Sequence, residues 1–266
     1  MSEPVGSVLP LAASLDGPAD KPVLVLGNSL GTARAVWDRQ VPALAGRFRL
    51  LRYELPGHGR PPGGPATPPG PYSIADLGLS VLALLDGYGV RRVHYAGISI
   101  GGMIGMWLAA HAPERIAALG LCCTSAHLPP VSGWLARAEQ VRNAGMASVT
   151  AQSLSRWFTG PYAAACPATA AACAATLEAV DPEGYAGCCA AIAAMDLCPA
   201  LGSITAPTLV IAGSDDPATP PAHGALIASQ IHGARLLVVR GAAHLANIQA
   251  AGPVTAALLG HLLAHP

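Results

Sequence analysis

The residues Gly97-Ile98-Ser99-Ile100-Gly101-Gly102 fit the pattern G-x-S-x-G, between a run that reads as a strand and one that reads as a helix. That context carries more information than the five-residue pattern. A serine on a tight strand-to-helix turn presents its hydroxyl at the carboxyl edge of a sheet, and glycines flank it because the backbone is crowded there. The N-terminus of the following helix adds partial positive charge, which favours an oxyanion. The chemistry this suggests is nucleophilic attack by Ser99 on a carbonyl.

A serine hydroxyl needs a base, and the base needs an orienting acid. Seven of the nine histidines follow Ser99. Of these, His244 lies in a loop, Gly241-Ala-Ala-His244-Leu-Ala-Asn247, just past the last expected strand and before the last helix. Ligands meet an open parallel sheet at such carboxyl ends. His111 reads as a cap on helix carbonyls, and His261 and His265, near the terminus, as solvated residues. His58, in Pro56-Gly-His-Gly59, reads as an ordinary histidine in a tight turn. The acid should also follow a strand. Gly213-Ser214-Asp215-Asp216-Pro217 does, and Asp216 is the preferred orienting carboxylate, with Asp215 as the alternative. Two backbone donors complete an acyl-transfer site. One is the amide of Ile100, directly after the nucleophile. The other should lie in Asn28-Ser29-Leu30-Gly31, and the Leu30 amide is the candidate.

Other chemistries lack a motif. The sequence holds no H-E-x-x-H, no Walker glycine-lysine unit and no G-x-G-x-x-G, so neither a metal nor a cofactor is called for. The seven cysteines show no C-x-x-C and no zinc spacing, and read as small buried hydrophobes.

Strands and helices alternate around these residues. Strands are expected at 22–27, 49–53, 92–97, 116–122, 207–213 and 236–239. Helices are expected at 33–45, from Ser73 onward, at 100–112, and at about 253–263. Ser73 and Asp76 form a capping-box-like helix start. The segment 61–71, mostly Pro and Gly, reads as a loop. Alternation of this kind implies parallel crossovers and a doubly wound sheet. From Leu128 to about Cys198 only helical pieces appear. The chain therefore divides into a core of residues 1–125 and 199–266 and an inserted helical cap of 126–198.

Composition bounds the remaining classes. Hydrophobic residues make up 52% and charged residues 11%, with 15 basic against 15 acidic side chains. A chain so rich in apolar residues is not disordered. It has no basic run to serve as a nucleic-acid footprint. No secretory signal and no apolar run of membrane-spanning length is present, so a cytoplasmic protein is expected.

Taken together, Asn28-Ser-Leu-Gly-Thr32 with Trp37, Arg52-Tyr-Glu54, Gly57-His-Gly-Arg60, Pro71 to Leu77, the Ser99 turn, Gly213 to Pro221 and Ala243-His-Leu-Ala-Asn247 resemble the 3-oxoadipate enol-lactonases. The resemblance runs from about residue 5 to 263. Trp134 to Arg142 with Gly145-Met146 extends it through the expected cap. It implies the α/β-hydrolase fold: a mostly parallel doubly wound sheet with an inserted helical cap. It also implies a five-membered enol-lactone bearing a carboxylate as substrate, with no nucleic-acid or membrane partner. Two departures are Glu54, where Asp is more usual, and Pro56, where Arg is more usual; both bear on local polar contacts beside the loop. A substrate carboxylate calls for a cation, for which Arg34 and Arg137 are the candidates, and Trp134 is a candidate pocket wall. Rival readings keep the triad but assign it different chemistry. They are a general carboxylesterase, a carbon–carbon bond hydrolase, and a ligand receptor without turnover.

Overall fold

The computed structural model describes residues 6–59 and 66–265. Arg60 of the resemblance motif, and residues 61–65 of the expected loop, lie outside them. Among the described residues seven strands form one sheet: β1 (Ala13–Asp16), β2 (Val23–Gly27), β3 (Arg49–Tyr53), β4 (Val93–Ile98), β5 (Ile116–Cys122), β6 (Thr208–Gly213) and β7 (Arg235–Val239). Their spatial order is β1-β3-β2-β4-β5-β6-β7. All neighbours run parallel except β1, which pairs antiparallel with β3. The central strands β4, β5 and β6 are buried at every position, as continuous apolar runs covered on both faces must be.

Before the insertion, α1 (Val41–Leu44), α2 (Ile74–Gly87) and α3 (Ile100–His111) connect the strands. The expected helix over 33–45 does not form as one element. It is a 3-10 turn at Arg34–Trp37 followed by the four-residue α1. Pro42 explains the break: it lacks an N–H and is tolerated only in a helix's first turn, where it sits here. The Ser73 capping box does form, with Ser73 accepting from the Asp76 amide and the Asp76 carboxylate accepting from the Ser73 amide. Helix α3 is buried from Ile100 to Ala109, which the Gly-rich, wholly apolar face of that segment requires.

Between β5 and β6 the chain leaves the sheet for α4 (Val131–Ala144), α5 (Thr150–Trp157), α6 (Gly160–Ala165), α7 (Pro167–Glu178) and α8 (Pro182–Ala194). Its two ends are stitched together, since the Leu197 amide donates to the Ala126 carbonyl and His127 bridges to Asp196. The sheet then resumes, followed by α9 (Pro221–Gln230), α10 (Ala246–Gln249) and α11 (Ala251–Leu263). His261, expected to be solvated, is buried on α11, with Nε2 3.2 Å from the Pro207 carbonyl oxygen. His111 caps its helix as expected, its Nδ1 2.9 Å from the Trp107 carbonyl oxygen. All seven cysteines are free, and Cys122, Cys123, Cys188 and Cys189 are buried.

Candidate active site

Ser99 joins β4 to α3 with φ 57° and ψ −122°, a left-handed conformation that is rare for a residue with a side chain. The surroundings hold it there. Its amide donates to the Cys122 carbonyl, and its carbonyl accepts from the Gly102 and Met103 amides and from the Thr124 hydroxyl. Gly97 and Gly101 make the turn possible. A Cβ on Gly97 would strike the Gly101 carbonyl, and one on Gly101 would strike the backbone of Gly27. Beneath the turn the Tyr95 hydroxyl donates to the Gly101 carbonyl at 2.9 Å and so accepts from Tyr53, also at 2.9 Å.

The other candidates come from the carboxyl ends of β6 and β7. Asp216 and His244 are buried, with His244 Nδ1 2.8 Å from Asp216 Oδ2. Asp216 Oδ1 accepts from the amides of Ala218 (2.8 Å) and Thr219 (3.0 Å), and Oδ2 from the Thr219 hydroxyl (2.7 Å). Burial alone would raise the Asp216 pKa. The His244 charge and hydrogen bond, with the two Thr219 donors, outweigh it and hold the carboxyl at about 2. The Asp215 carboxylate stands outside this network and bonds the Ser214 hydroxyl. The geometry therefore separates the two carboxylates that the sequence left side by side.

Ser99 and His244 line one cavity of about 410 Å³, together with Trp134, Arg137, Arg156 and Ala218. The same six residues border a smaller annex of about 50 Å³ that reaches Leu30 and Tyr185. Among the described residues, neither the Leu30 nor the Ile100 amide donates to another backbone group. The Gly101 amide donates to the Asn28 carbonyl and ties the serine turn to the Leu30 loop.

Arg34 is placed elsewhere. It is absent from the lining of both chambers and pairs with Glu54, its Nε 3.7 Å from Oε1. The physical reason is local: Glu54 also accepts the Arg34 amide on both carboxylate oxygens and so holds this arginine beside the loop. Arg137 does face the cavity. Its three nitrogens donate to the Tyr185 hydroxyl (2.7 Å), Gln152 Oε1 (2.8 Å) and the Ser153 hydroxyl (2.6 Å). Trp134 lines the cavity with its indole N–H bonded to the Leu128 carbonyl. Sequence reasoning missed Arg156. Burial first, and the neighbouring Arg137 charge second, depress its pKa, against the pull of Tyr185. Among the described residues no carboxylate lies within ion-pair distance of Arg137 or Arg156. The end of α5 is fastened to the histidine loop, with the His244 amide donating to the Arg156 carbonyl and the Leu245 amide to that of Trp157.

Glu54 is buried and accepts from Asn28 Nδ2 as well as from Arg34. Burial raises its pKa to about 7, opposed by the Arg34 N–H and the Arg34 and Arg52 charges. A carboxyl that binds its proton more tightly when folded loses stability as pH rises from its ordinary 4.5 through about 7. Glu54→Gln should therefore flatten the fall in Tm over that window. Scanning calorimetry of both proteins across the same range checks this; parallel curves would contradict it.

Comparison with known proteins adds to this geometry. The profile of the α/β hydrolase fold family matches residues 22–251. The chain belongs to the α/β-hydrolase fold family. Among this hydrolase's relatives, 3-oxoadipate enol-lactonase 2 of Acinetobacter baylyi is 37% identical over 88% of the chain and 85% of its own length. A RutD protein of Stutzerimonas stutzeri, named for carbamate hydrolysis, is 30% identical over 91% of the chain and 92% of its own. The crystal structure of an enol-lactonase from Burkholderia xenovorans LB400 superposes on the hydrolase with a TM-score of 0.91 at 39% identity, covering 95% of this chain and 96% of that one.

Proposed function

We propose that this hydrolase opens 3-oxoadipate enol-lactone to 3-oxoadipate, with Ser99 as nucleophile, His244 as base and Asp216 as its orienting acid. The helical segment 126–198 serves as the cap of the active site. One observation carries the substrate reading: the cavity lined by Ser99 and His244 also holds two arginines without an acidic partner among the described residues. Unneutralised guanidiniums beside a nucleophile favour a small substrate that brings its own carboxylate. The enol-lactonase relatives agree with this choice.

In the reaction, His244 takes the Ser99 proton while the hydroxyl oxygen adds to the lactone carbonyl. The amides of Leu30 and Ile100 stabilise the oxyanion. Collapse breaks the ring C–O bond and expels an enolate, a far better leaving group than an alkoxide. His244 returns its proton as the enolate becomes a ketone. Water activated by His244 then cleaves the acyl–Ser99 ester and frees the second carboxylate. Asp216, ionised down to about pH 2, faces the imidazole throughout.

The decisive test compares kcat/KM on the enol-lactone with that on p-nitrophenyl acetate. A strong preference for the lactone supports the proposal; a preference for the acetate would replace it with a general esterase. Within that comparison the two arginines should behave differently. Arg156→Ala should raise KM for the lactone by roughly 10- to 100-fold, the worth of one charge-assisted hydrogen bond, and barely change acetate turnover. Arg137→Ala should harm both substrates, because Arg137 also braces Tyr185, Gln152 and Ser153. Equal losses on both substrates for Arg156→Ala would remove it from substrate recognition.

A further inference from the structure

His58 looks by sequence like a turn histidine, yet its ring is buried and both its nitrogens are engaged. The turn after β3 folds it inward, its amide donating to the Leu55 carbonyl while the Gly57 carbonyl accepts from the Asp181 amide. Nδ1 lies 2.9 Å from the Pro56 carbonyl oxygen. A carbonyl only accepts, so Nδ1 carries the proton. Nε2 accepts the Gly31 N–H at 3.0 Å and must be the bare nitrogen. One neutral tautomer satisfies both contacts, and a second proton on Nε2 would set two N–H groups face to face.

The bonded peptide matters because of where it lies. Gly31 follows Leu30 directly, and its φ of +79° puts it in the left-handed region at the third position of a Ser29–Thr32 turn. That turn is closed by the Thr32 amide and hydroxyl, both donating to the Ser29 carbonyl. The Gly31 N–H points out of the turn and finds its acceptor in the imidazole. Packing seconds the hydrogen bond: the His58 ring stacks with Tyr185 at 6.3 Å between centroids, and Tyr185 borders the annex beside Ser99.

We propose that His58 is a positioning residue for oxyanion stabilisation: its imidazole clamps the Leu30–Gly31 peptide between Pro56 and the serine turn, and so fixes the Leu30 amide relative to Ser99. The inference rests on the triad reading above, in which Leu30 supplies an oxyanion donor. The charged and titratable groups that face the ring are Asp181 and Tyr185. Burial keeps the His58 pKa down at about 4, against the Pro56 carbonyl and Asp181, so the accepting tautomer persists at neutral pH.

The test uses two substitutions that split the two contacts. Glutamine places an oxygen three bonds from Cβ, as Nε2 is, and can accept from Gly31. Asparagine reaches only two bonds, as Nδ1 does, and can serve Pro56 but not Gly31. We expect His58→Asn to lose roughly 10- to 100-fold in kcat with KM little changed, and to weaken a boronic acid that forms a tetrahedral adduct on Ser99 by a similar factor. His58→Gln should recover most of both. Equal effects of the two substitutions, or unchanged boronate affinity in His58→Asn, would overturn the proposal. Nitrogen-15 NMR of histidine-labelled wild type gives an answer that does not depend on any variant folding. A proton on Nδ1 and a bare Nε2 is the expected result, and the reverse tautomer overturns the clamp. Kinetics are read on p-nitrophenyl acetate as well as the lactone. Failure of the lactone alone would then count against the proposed substrate and not against His58.

Discussion

Ser99→Ala should leave the fold intact and lower kcat by at least ~10³, the order expected when a triad member is removed. The fold should survive because the turn is held by backbone contacts that do not involve the hydroxyl. Cys122, Gly102, Met103 and Thr124 all bond the Ser99 amide or carbonyl. Alanine adopts φ 57° no more readily than serine, so the strain at this residue is carried over and not relieved. The activity should fall because, among the described residues, no other nucleophile borders the cavity on a comparable turn. Cys123, just past the end of β5, is buried and absent from the cavity lining, and burial pushes its pKa well up. Residual turnover should resemble that of general oxyanion and binding effects, without a burst of acyl-enzyme. The measurement is stopped-flow on p-nitrophenyl acetate together with steady-state lactone kinetics and circular dichroism. A variant that keeps its spectrum and hydrolyses the lactone at close to the wild-type rate would remove Ser99 from the mechanism.

How far the site can be read before the fold is known depends on how local its determinants are. Ser99 is legible because its strain is written into its neighbours: only glycine fits at 97 and 101, where a Cβ would meet backbone. His244 and Asp216 are legible because both close a strand of a parallel sheet, where the Gly213 and Gly241 turns begin. The strands themselves follow from apolar runs, since β4, β5 and β6 are buried on both faces. Edges are harder. In β1, Ala13 to Leu15 are half-buried and Asp16 is exposed, so that strand carries no readable pattern and is absent from the expected set. The expected helix over 33–45 breaks because Ala-rich composition favours a helix while Pro42 and the demands of Glu54 on Arg34 decide otherwise. Arg156 has no local signal. Its place in the cavity follows from how α5 docks on the histidine loop, through the Arg156 and Trp157 carbonyls, a contact between distant parts of the chain that spacing does not encode. Thr219 does have one: a hydroxyl three residues after a carboxylate in a turn is a common local acceptor–donor pair.

That Thr219 contact shapes what Asp216→Asn should do. An amide at this position keeps size and shape, so the fold should persist, but it can offer His244 an N–H where the carboxylate offered only acceptors. The wild-type carboxylate takes Ala218 and Thr219 amides on Oδ1 and the Thr219 hydroxyl with His244 Nδ1 on Oδ2. In the variant the backbone amides still require an oxygen at Oδ1, which turns the NH₂ towards Thr219 and His244. The imidazole is then driven to bare Nδ1 and protonated Nε2, the tautomer that cannot accept a proton from Ser99. The expected loss is about 10³ to 10⁴ in kcat at neutral pH, as for the same exchange in a serine triad. Asp215→Asn should cost almost nothing, because the Asp215 carboxylate bonds the neighbouring Ser214 hydroxyl and takes no part in the contacts of the imidazole. The pair of variants thus decides between the two adjacent acids. Stability gives an independent reading. A carboxyl held at about 2 when folded, against an ordinary 3.8, adds stability that is present above pH 3.8 and is lost as pH falls towards 2. Asp216→Asn should remove that acid-side loss, so wild type and variant should converge in Tm as pH drops through this window. Equal activities for Asp215→Asn and Asp216→Asn, or Tm curves that stay parallel in acid, would place the orienting charge elsewhere.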